Sequence, residues 1–430
     1  MTAKGAYLMA SVVRPSNSAP AMFPVSLRER IDVVDILRGW AILGMLVTNL
    51  SRDLEWHYLF AKLWPGTVDR GAYFLLLFFA KGKFYTLFSF LFGWGFALQM
   101  GRAEARGVRF FPLYARRLLV LLLFGLMYKT LGPYGILISY ALLGYFLFLF
   151  RACSLKTVLV AALLCFCYWP AHEAVVERIH EHQLADPRTA QATRQADAQA
   201  EAQETVLNKE DLRLHSQGSF KEIVVQHART LRRLSSGWYY LGMLGDTFPL
   251  MLLGLYVGRR RILHDIPAHL HFIRRVFWWG LSLGLPATAV WVIVSEYPGS
   301  GPEHPSWVEA VAYRIGSPAL TFFYASAIVL LVQSHDWKLR LAPLAPVGRM
   351  ALSNYLFQGL IFVALFYSYG LGFYGRMRPL VGVALAVLIF PLQVLLSAWW
   401  MKRFRFGPAE WLWRTLTYGK LQPMRLAAAG

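Results

Sequence analysis

Asp35 and Arg38 lie three residues apart at the start of an apolar run that extends from Gly39 to Thr48 and ends at Asn49. On a helix that spacing puts them on one face, near enough to pair. Ionisable groups against the start of a membrane helix are costly unless paired or solvated, which makes them functional candidates. Arginine in such a place suits a phosphate, because its planar fork donates two hydrogen bonds at once. Lys83 opens a later apolar run, and Arg403 and Arg405 stand in a basic tail with Lys420 and Arg425. Each offers a cation to an anionic ligand or, more simply, to the membrane interface. Asp246 is a carboxylate inside GMLGDTFPLMLLG, with Pro249 three residues on to loosen the helix and free a backbone carbonyl. Asn354 and Gln358 are four apart beside Ser353, and Gln393 in the next run could meet them. This group reads either as the lining of a polar cavity or as hydrogen-bonded ties between helices.

The elements that must position these residues are membrane helices. Of the 430 residues, 57% are hydrophobic, 15% aromatic and only 16% charged, far more apolar than a soluble domain. The net charge of +20 sits in short segments between apolar runs, as cytoplasmic loops do, so nucleic-acid binding is excluded. Spans of about 20 apolar residues fall at 33–50, 73–100, 113–131, 134–151, 155–171, 238–258, 275–295, 311–333, 347–369 and 379–401. The expected fold is all-α, a polytopic integral membrane protein of about ten helices. Lys81, Gly82 and Lys83 interrupt the second run, so 71–80 is expected as an interfacial or re-entrant piece before the true span, 84–100. The Lys and Arg bias of the loops and the even count put both termini in the cytoplasm.

Four regions follow. Residues 1–29 read as a disordered cytoplasmic tail without the compact apolar core of a cleavable signal. Residues 30–171 form the first half of the membrane domain, 172–236 an extracytoplasmic insert rich in helix formers, and 237–425 the second half. His172 and Glu173 lack a second histidine four residues on, where Val176 stands, and His180 and His182 point to different faces, so no metal site is expected. Cys153, Cys165 and Cys167 read as small membrane hydrophobes. The Trp and Tyr pairs at span ends fit an interfacial aromatic belt.

The opening helix DILRGWAILGMLVTN and KFYTLFSFLFGWGFAL (83–98) resemble the YeiB-like family, whose domain is known as domain of unknown function 418. So do GRMALSNYLFQGLIF (348–362), YGLGFYG (369–375) and RFRFGPAEWLWRTLTYGKLQP (403–423). The resemblance runs from about residue 30 to 425, excepting the insert. In its first helix that family is similar to transmembrane acyltransferases, namely acyltransferase family three and the heparan glucosaminide acetyltransferase group. These move an acyl group from cytoplasmic acyl-CoA to a sugar or glycan across the membrane. Acyltransferase family three has a first-helix Arg followed eleven positions later by its catalytic His; here Arg38 is followed by Asn49. The heparan group also has Asn there, with its His in the loop beyond, and that loop here offers His57. Many YeiB-like proteins have a His in the third span and Gly-Asp-Ile-Leu opening the fourth. This chain has Met127 and Tyr128, then Tyr134, Gly135, Ile136 and Leu137.

The resemblance therefore implies an acyltransferase of a bacterial inner membrane with acyl-CoA as donor and a glycan or small metabolite as acceptor. His57 would be the general base, the role for which a pKa near neutrality suits histidine. Asn49 would position the substrate or donate to the oxyanion, and Asp35 would complete the catalytic cluster. Arg38, Lys83, Arg403 and Arg405 would bind the donor; Asp246, Ser353, Asn354, Gln358 and Gln393 would line the substrate cavity. The bilayer is a partner, and a homodimer stays open. A transporter of a small amphipathic or anionic solute is the alternative, favoured by broken helices but not by any clear internal repeat.

Overall fold

A computed structural model describes residues 32–51, 66–132, 135–234, 237–296 and 306–426. The expected N-terminal tail and His57 lie outside the described residues. Within them the regular structure is all helical, apart from one isolated β-bridge between Phe404 and Arg425. The first half comprises α1 (Asp32–Leu50), α2 (Thr67–Phe79), α3 (Lys83–Ala105), α4 (Phe110–Leu131), α5 (Leu137–Leu149) and α6 (Leu155–Ala185). The insert adds α7 (Ala190–Gln217) and α8 (Phe220–Leu234). The second half runs α9 (Gly237–Asp246), α10 (Phe248–Arg259), α11 (Ile266–Glu296), α12 (Ser306–Leu331), α13 (His335–Leu341) and α14 (Leu344–Arg349). It ends with α15 (Ala351–Phe366), α16 (Pro379–Met401) and α17 (Pro408–Tyr418).

Among the described residues, seven helices are long and apolar enough to cross a membrane, with α2 and α3 counted together. Two of the ten expected spans, α5 and α15, are shorter apolar helices. The expected span 238–258 divides at Thr247 into α9 and α10, with Pro249 in the first turn of α10, where a missing N–H costs nothing. The second run divides as its Lys-Gly-Lys sequence implies: Gly82 takes φ 86°, a left-handed conformation open to glycine, and α3 begins at Lys83. The helix α6 continues without a break from 155 to 185, so the insert grows out of a membrane helix.

At the centre lies α1, which packs on α3, α12, α14, α15 and α16. Ala41, Ile42 and Leu46 are completely buried, whereas Leu164 and Leu388 on peripheral helices are about two-thirds exposed (65% and 66%), an apolar rim suited to lipid. Between apolar helices, close backbone approach replaces the hydrophobic drive, and small residues make it available. Gly39 lies against the backbone of Leu344 and Gly348 against that of Asp35, so a Cβ at either would overlap the facing chain. This crossing presses α14 onto the polar start of α1.

Candidate functional site

The charged start of α1 opens onto a cavity of about 300 Å³. Arg38 donates to Asp35 at 3.2 Å, the pairing their spacing implied. The α1–α14 crossing brings in a second cation: Arg349 Nε lies 3.5 Å from Asp35 Oδ2, and its Nη2 lies 4.0 Å from Asp32. Arg102 from α3, Arg117 from α4 and Arg414 from α17 line the same space. Five arginines thus face two carboxyls, Asp35 and Glu410, with aromatic walls from Phe92, Trp94, Tyr140 and Trp413. Such a surplus of forked donors suits a multiply charged phosphate ligand.

The C-terminal helix closes one side of this cavity. Arg117 lies over the Trp413 ring at 3.9 Å, and Trp413 Nε1 donates to the Arg117 carbonyl at 3.0 Å. Glu410 is buried and accepts from the backbone N–H groups of Leu352 (2.7 Å) and Ser353 (3.1 Å), capping α15, where a carboxylate offsets the helix dipole. The Ser353 hydroxyl donates to the same carboxylate and accepts from Ala409 N–H. Burial pushes the Glu410 carboxyl above its ordinary value, and the hydrogen bonds from Ser353 and the backbone oppose that rise.

A second cavity, of about 260 Å³, lies at the other end of α1. Eleven residues at about 1.5 Å each place Asn49 roughly 16 Å along the axis from Arg38. Thr48, Asn49, Ser51, Tyr73, Lys81, Tyr85 and Tyr313 line it. Tyr85 and Tyr313 exchange a hydrogen bond at 3.2 Å, and the buried Ser51 hydroxyl has no partner among the described residues. Ile136, at the entry to α5, lines both cavities. Beside it the wall is polar: Tyr140 OH donates to the Tyr85 carbonyl at 3.0 Å and lies 2.9 Å from Ser89 Oγ.

The structure brings together Asp35 and Arg38 at one cavity and sets Asn49 at the other. Among the described residues, none that lines either cavity is a histidine. Lys83 lines neither; it is fully buried, donates to the Leu77 carbonyl at 3.0 Å and lies 5.4 Å from the Trp291 ring centroid. Arg403 and Arg405 are exposed on the tail, Arg403 over Trp399 at 4.5 Å, and it is Arg414 that reaches the cavity. Asp246 is tied to Arg314 of α12 at 2.5 Å. Ser353 holds the tail, as above. Asn354, Gln358 and Gln393 line neither cavity and form a buried tie: Gln358 Nε2 donates to Ile42 O and Gln393 Oε1 (both 3.0 Å), and Asn354 Nδ2 to Val347 O and Ser397 Oγ (both 3.1 Å). Of the two readings of this polar group, the tie between helices describes its contacts.

Arg102, Arg117, Arg349, Arg414 and Glu410 were not singled out as site residues from the sequence. Arg102 and Arg117 read from the sequence simply as loop charges of the positive-inside kind, and Arg349, Glu410 and Arg414 lie within the stretches 348–362 and 403–423 that carry the family resemblance. The signal for Arg349 was the glycine before it, which permits the crossing.

Residues 257–420 match the family described as "Protein of unknown function (DUF418)". Residues 30–178, which carry α1 and Arg117, match "Heparan-alpha-glucosaminide N-acetyltransferase, catalytic". The chain is 33% identical over 426 residues to the uncharacterized protein YxaH of Bacillus subtilis (strain 168), covering 93% of this chain and 97% of that one. It is 28% identical over 422 residues to an uncharacterized 39.9 kDa protein from the amylase 3′ region of Bacillus acidopullulyticus, covering 94% and 99%. Against the uncharacterized protein YeiB of Escherichia coli (strain K12), identity is 29% over 406 residues, covering 90% and 96%. The chain belongs to the YeiB-like family of multi-pass membrane proteins, related to heparan glucosaminide acetyltransferase.

Proposed function

We propose that the protein is a transmembrane acyltransferase of the bacterial plasma membrane. It takes an acyl group from acyl-CoA at the arginine cavity and delivers it to a hydroxyl or amine of a glycan or small metabolite at the Asn49 cavity. The observation that carries this reading is the convergence of Arg38, Arg102, Arg117, Arg349 and Arg414 on one cavity, with a second cavity, which Asn49, Tyr85 and Tyr313 help to line, across a shared wall at Ile136. On this reading α5, α15 and the α9–α10 pair also cross the membrane beside the seven long helices, which would make ten spans. An even count returns both ends to one side, and the positive-inside bias makes the arginine face cytoplasmic, where acyl-CoA is made.

The arginines hold the donor's phosphates while its thioester end reaches past Ile136 and Tyr140. Asn49 and the Tyr85–Tyr313 hydroxyl pair are the donors available to the developing oxyanion. His57, seven residues after α1 ends, takes the proton of the attacking acceptor group. Calorimetry with acyl-CoAs of several chain lengths tests the donor site. Saturable binding that weakens in Arg38→Ala supports the reading. Folded protein that binds none of them refutes it and leaves transport of an anionic solute as the use of the same two cavities.

A further inference from the structure

The insert is fastened to the membrane domain by a histidine pair that no part of the proposed reaction uses. His215 of α7 and His227 of α8 are 5% and 6% exposed, and their Nε2 atoms face each other at 3.1 Å. Each ring turns its other nitrogen to a backbone carbonyl: His215 Nδ1 to Asp211 O at 2.9 Å, and His227 Nδ1 to Thr130 O, at the end of α4, at 3.2 Å. A carbonyl only accepts, so both Nδ1 atoms carry hydrogen. Neutral imidazole has one hydrogen, which would leave two bare Nε2 lone pairs pointed at each other. A hydrogen bond between them needs a third proton.

We infer that His215 and His227 form a site for one shared proton, three protons on two rings, and that this proton clasps the insert onto the membrane domain. His215 is the imidazolium, and the surrounding groups decide this. The Asp211 carboxylate lies 3.3 Å from His215 Nδ1, while the uncharged Tyr367 hydroxyl lies 3.5 Å from His227 Nε2. Tyr374 donates to Asp211 Oδ2 at 2.9 Å, and its ring stacks on His215 with centroids 4.7 Å apart. From α4, Lys129 adds positive charge on the His227 side. Ser368 N–H donates to the His215 carbonyl at 2.8 Å, so the loop that follows α15 is drawn into the same contact.

The clasp has an acid limit. The His227 ring is pushed down to about 4, by burial first and then by the charges of His215 and Lys129, so a fourth proton is refused near neutrality. Because that value is lower than the ordinary 6.5, docking is whole above 6.5 and weakens as the pH falls through about 4. Asp211 favours retention of the shared proton: burial works to raise its carboxyl, but hydrogen bonds and charge from His215, with the Tyr374 hydroxyl, hold it below the ordinary value.

Imidazole ¹⁵N NMR of the full chain in nanodiscs at pH 7 reads the proton count, with resonances assigned by their loss in His215→Gln and His227→Gln. One fully protonated ring beside one neutral ring is the expected result. Two neutral rings overturn the proposal, and so does a pattern that changes on adding EDTA, which would make the occupant a metal ion. Hydrogen exchange of residues 211–231 provides the second arm and needs no histidine variant. Protection should fall at pH 4.5, and Asp211→Asn should lower it at pH 7 by at least tenfold while peptides from α3 and α10 are unchanged. Protection that ignores both pH and Asp211 overturns the clasp.

Discussion

Replacing Glu410 with alanine should release the C-terminal helix from the arginine cavity. The carboxylate receives three donors, the N–H groups of Leu352 and Ser353 and the Ser353 hydroxyl. Stranding a buried donor costs about 1–3 kcal/mol. The adjoining cavity of about 300 Å³ admits water, so the low end applies to each, and the total is about 3 kcal/mol. At about 1.4 kcal/mol per tenfold, the open population rises roughly 100-fold. Cleavage of a transiently opened segment tracks that population when reclosing is fast. Trypsin should therefore cut Glu410→Ala among Arg403, Arg405, Arg414 and Lys420 about 100 times faster than wild type, and acyl-CoA binding should weaken with it. Glu410→Gln keeps an acceptor oxygen and the shape, and should lose only about 1 kcal/mol. Because burial raises the Glu410 carboxyl, its contribution is whole below its ordinary 4.5 and fades as the pH rises through the higher folded value. Cleavage of wild type should accordingly quicken with pH relative to the Gln variant. An Ala variant cut at the wild-type rate, with unchanged donor affinity, refutes the argument.

Three further outcomes are expected. Arg117→Gln should weaken acyl-CoA binding by about 10- to 100-fold in calorimetry, the worth of one charged hydrogen-bonded contact, while Arg340→Ala, on exposed α13, leaves it unchanged. Gly348→Ala should lower stability by about 1–3 kcal/mol in a thermal-shift series, because its Cβ overlaps the Asp35 backbone. Gln393→Leu should destabilise the α15–α16 tie by about 1–2 kcal/mol without changing donor affinity, since Gln393 touches neither cavity.

Local features were legible in the sequence. The Asp35–Arg38 pair follows from helical spacing, and the break before α3 follows from Lys81-Gly82-Lys83 within an apolar run. The ion pair of Asp246 could be expected from the cost of a lone carboxylate, but its partner Arg314 lies far away in the chain. What was hidden is convergence. Arg38, Arg117, Arg349 and Arg414 come from four helices, and the charges of Arg117 also satisfy the simpler demands of topology. The polar set Asn354, Gln358 and Gln393 shows the same limit from the other side. Spacing put them on facing surfaces, but only the packing against Ile42 and Val347 distinguishes a tie from a cavity wall.

Because Ile136 belongs to both cavities, ligands that each reach this side chain do not occupy them independently. The two occupants share a coupling free energy, and linkage makes it reciprocal. By whatever factor an acceptor changes donor affinity, the donor changes acceptor affinity by the same factor. If two snug ligands must compete for the volume of one isoleucine, the coupling is negative, and loading one cavity helps to empty the other. If the first ligand turns Ile136 aside for both, the coupling is positive and binding becomes ordered. Trimming the residue to alanine moves the factor toward one in either case, so this single side chain is where such a coupling would be set.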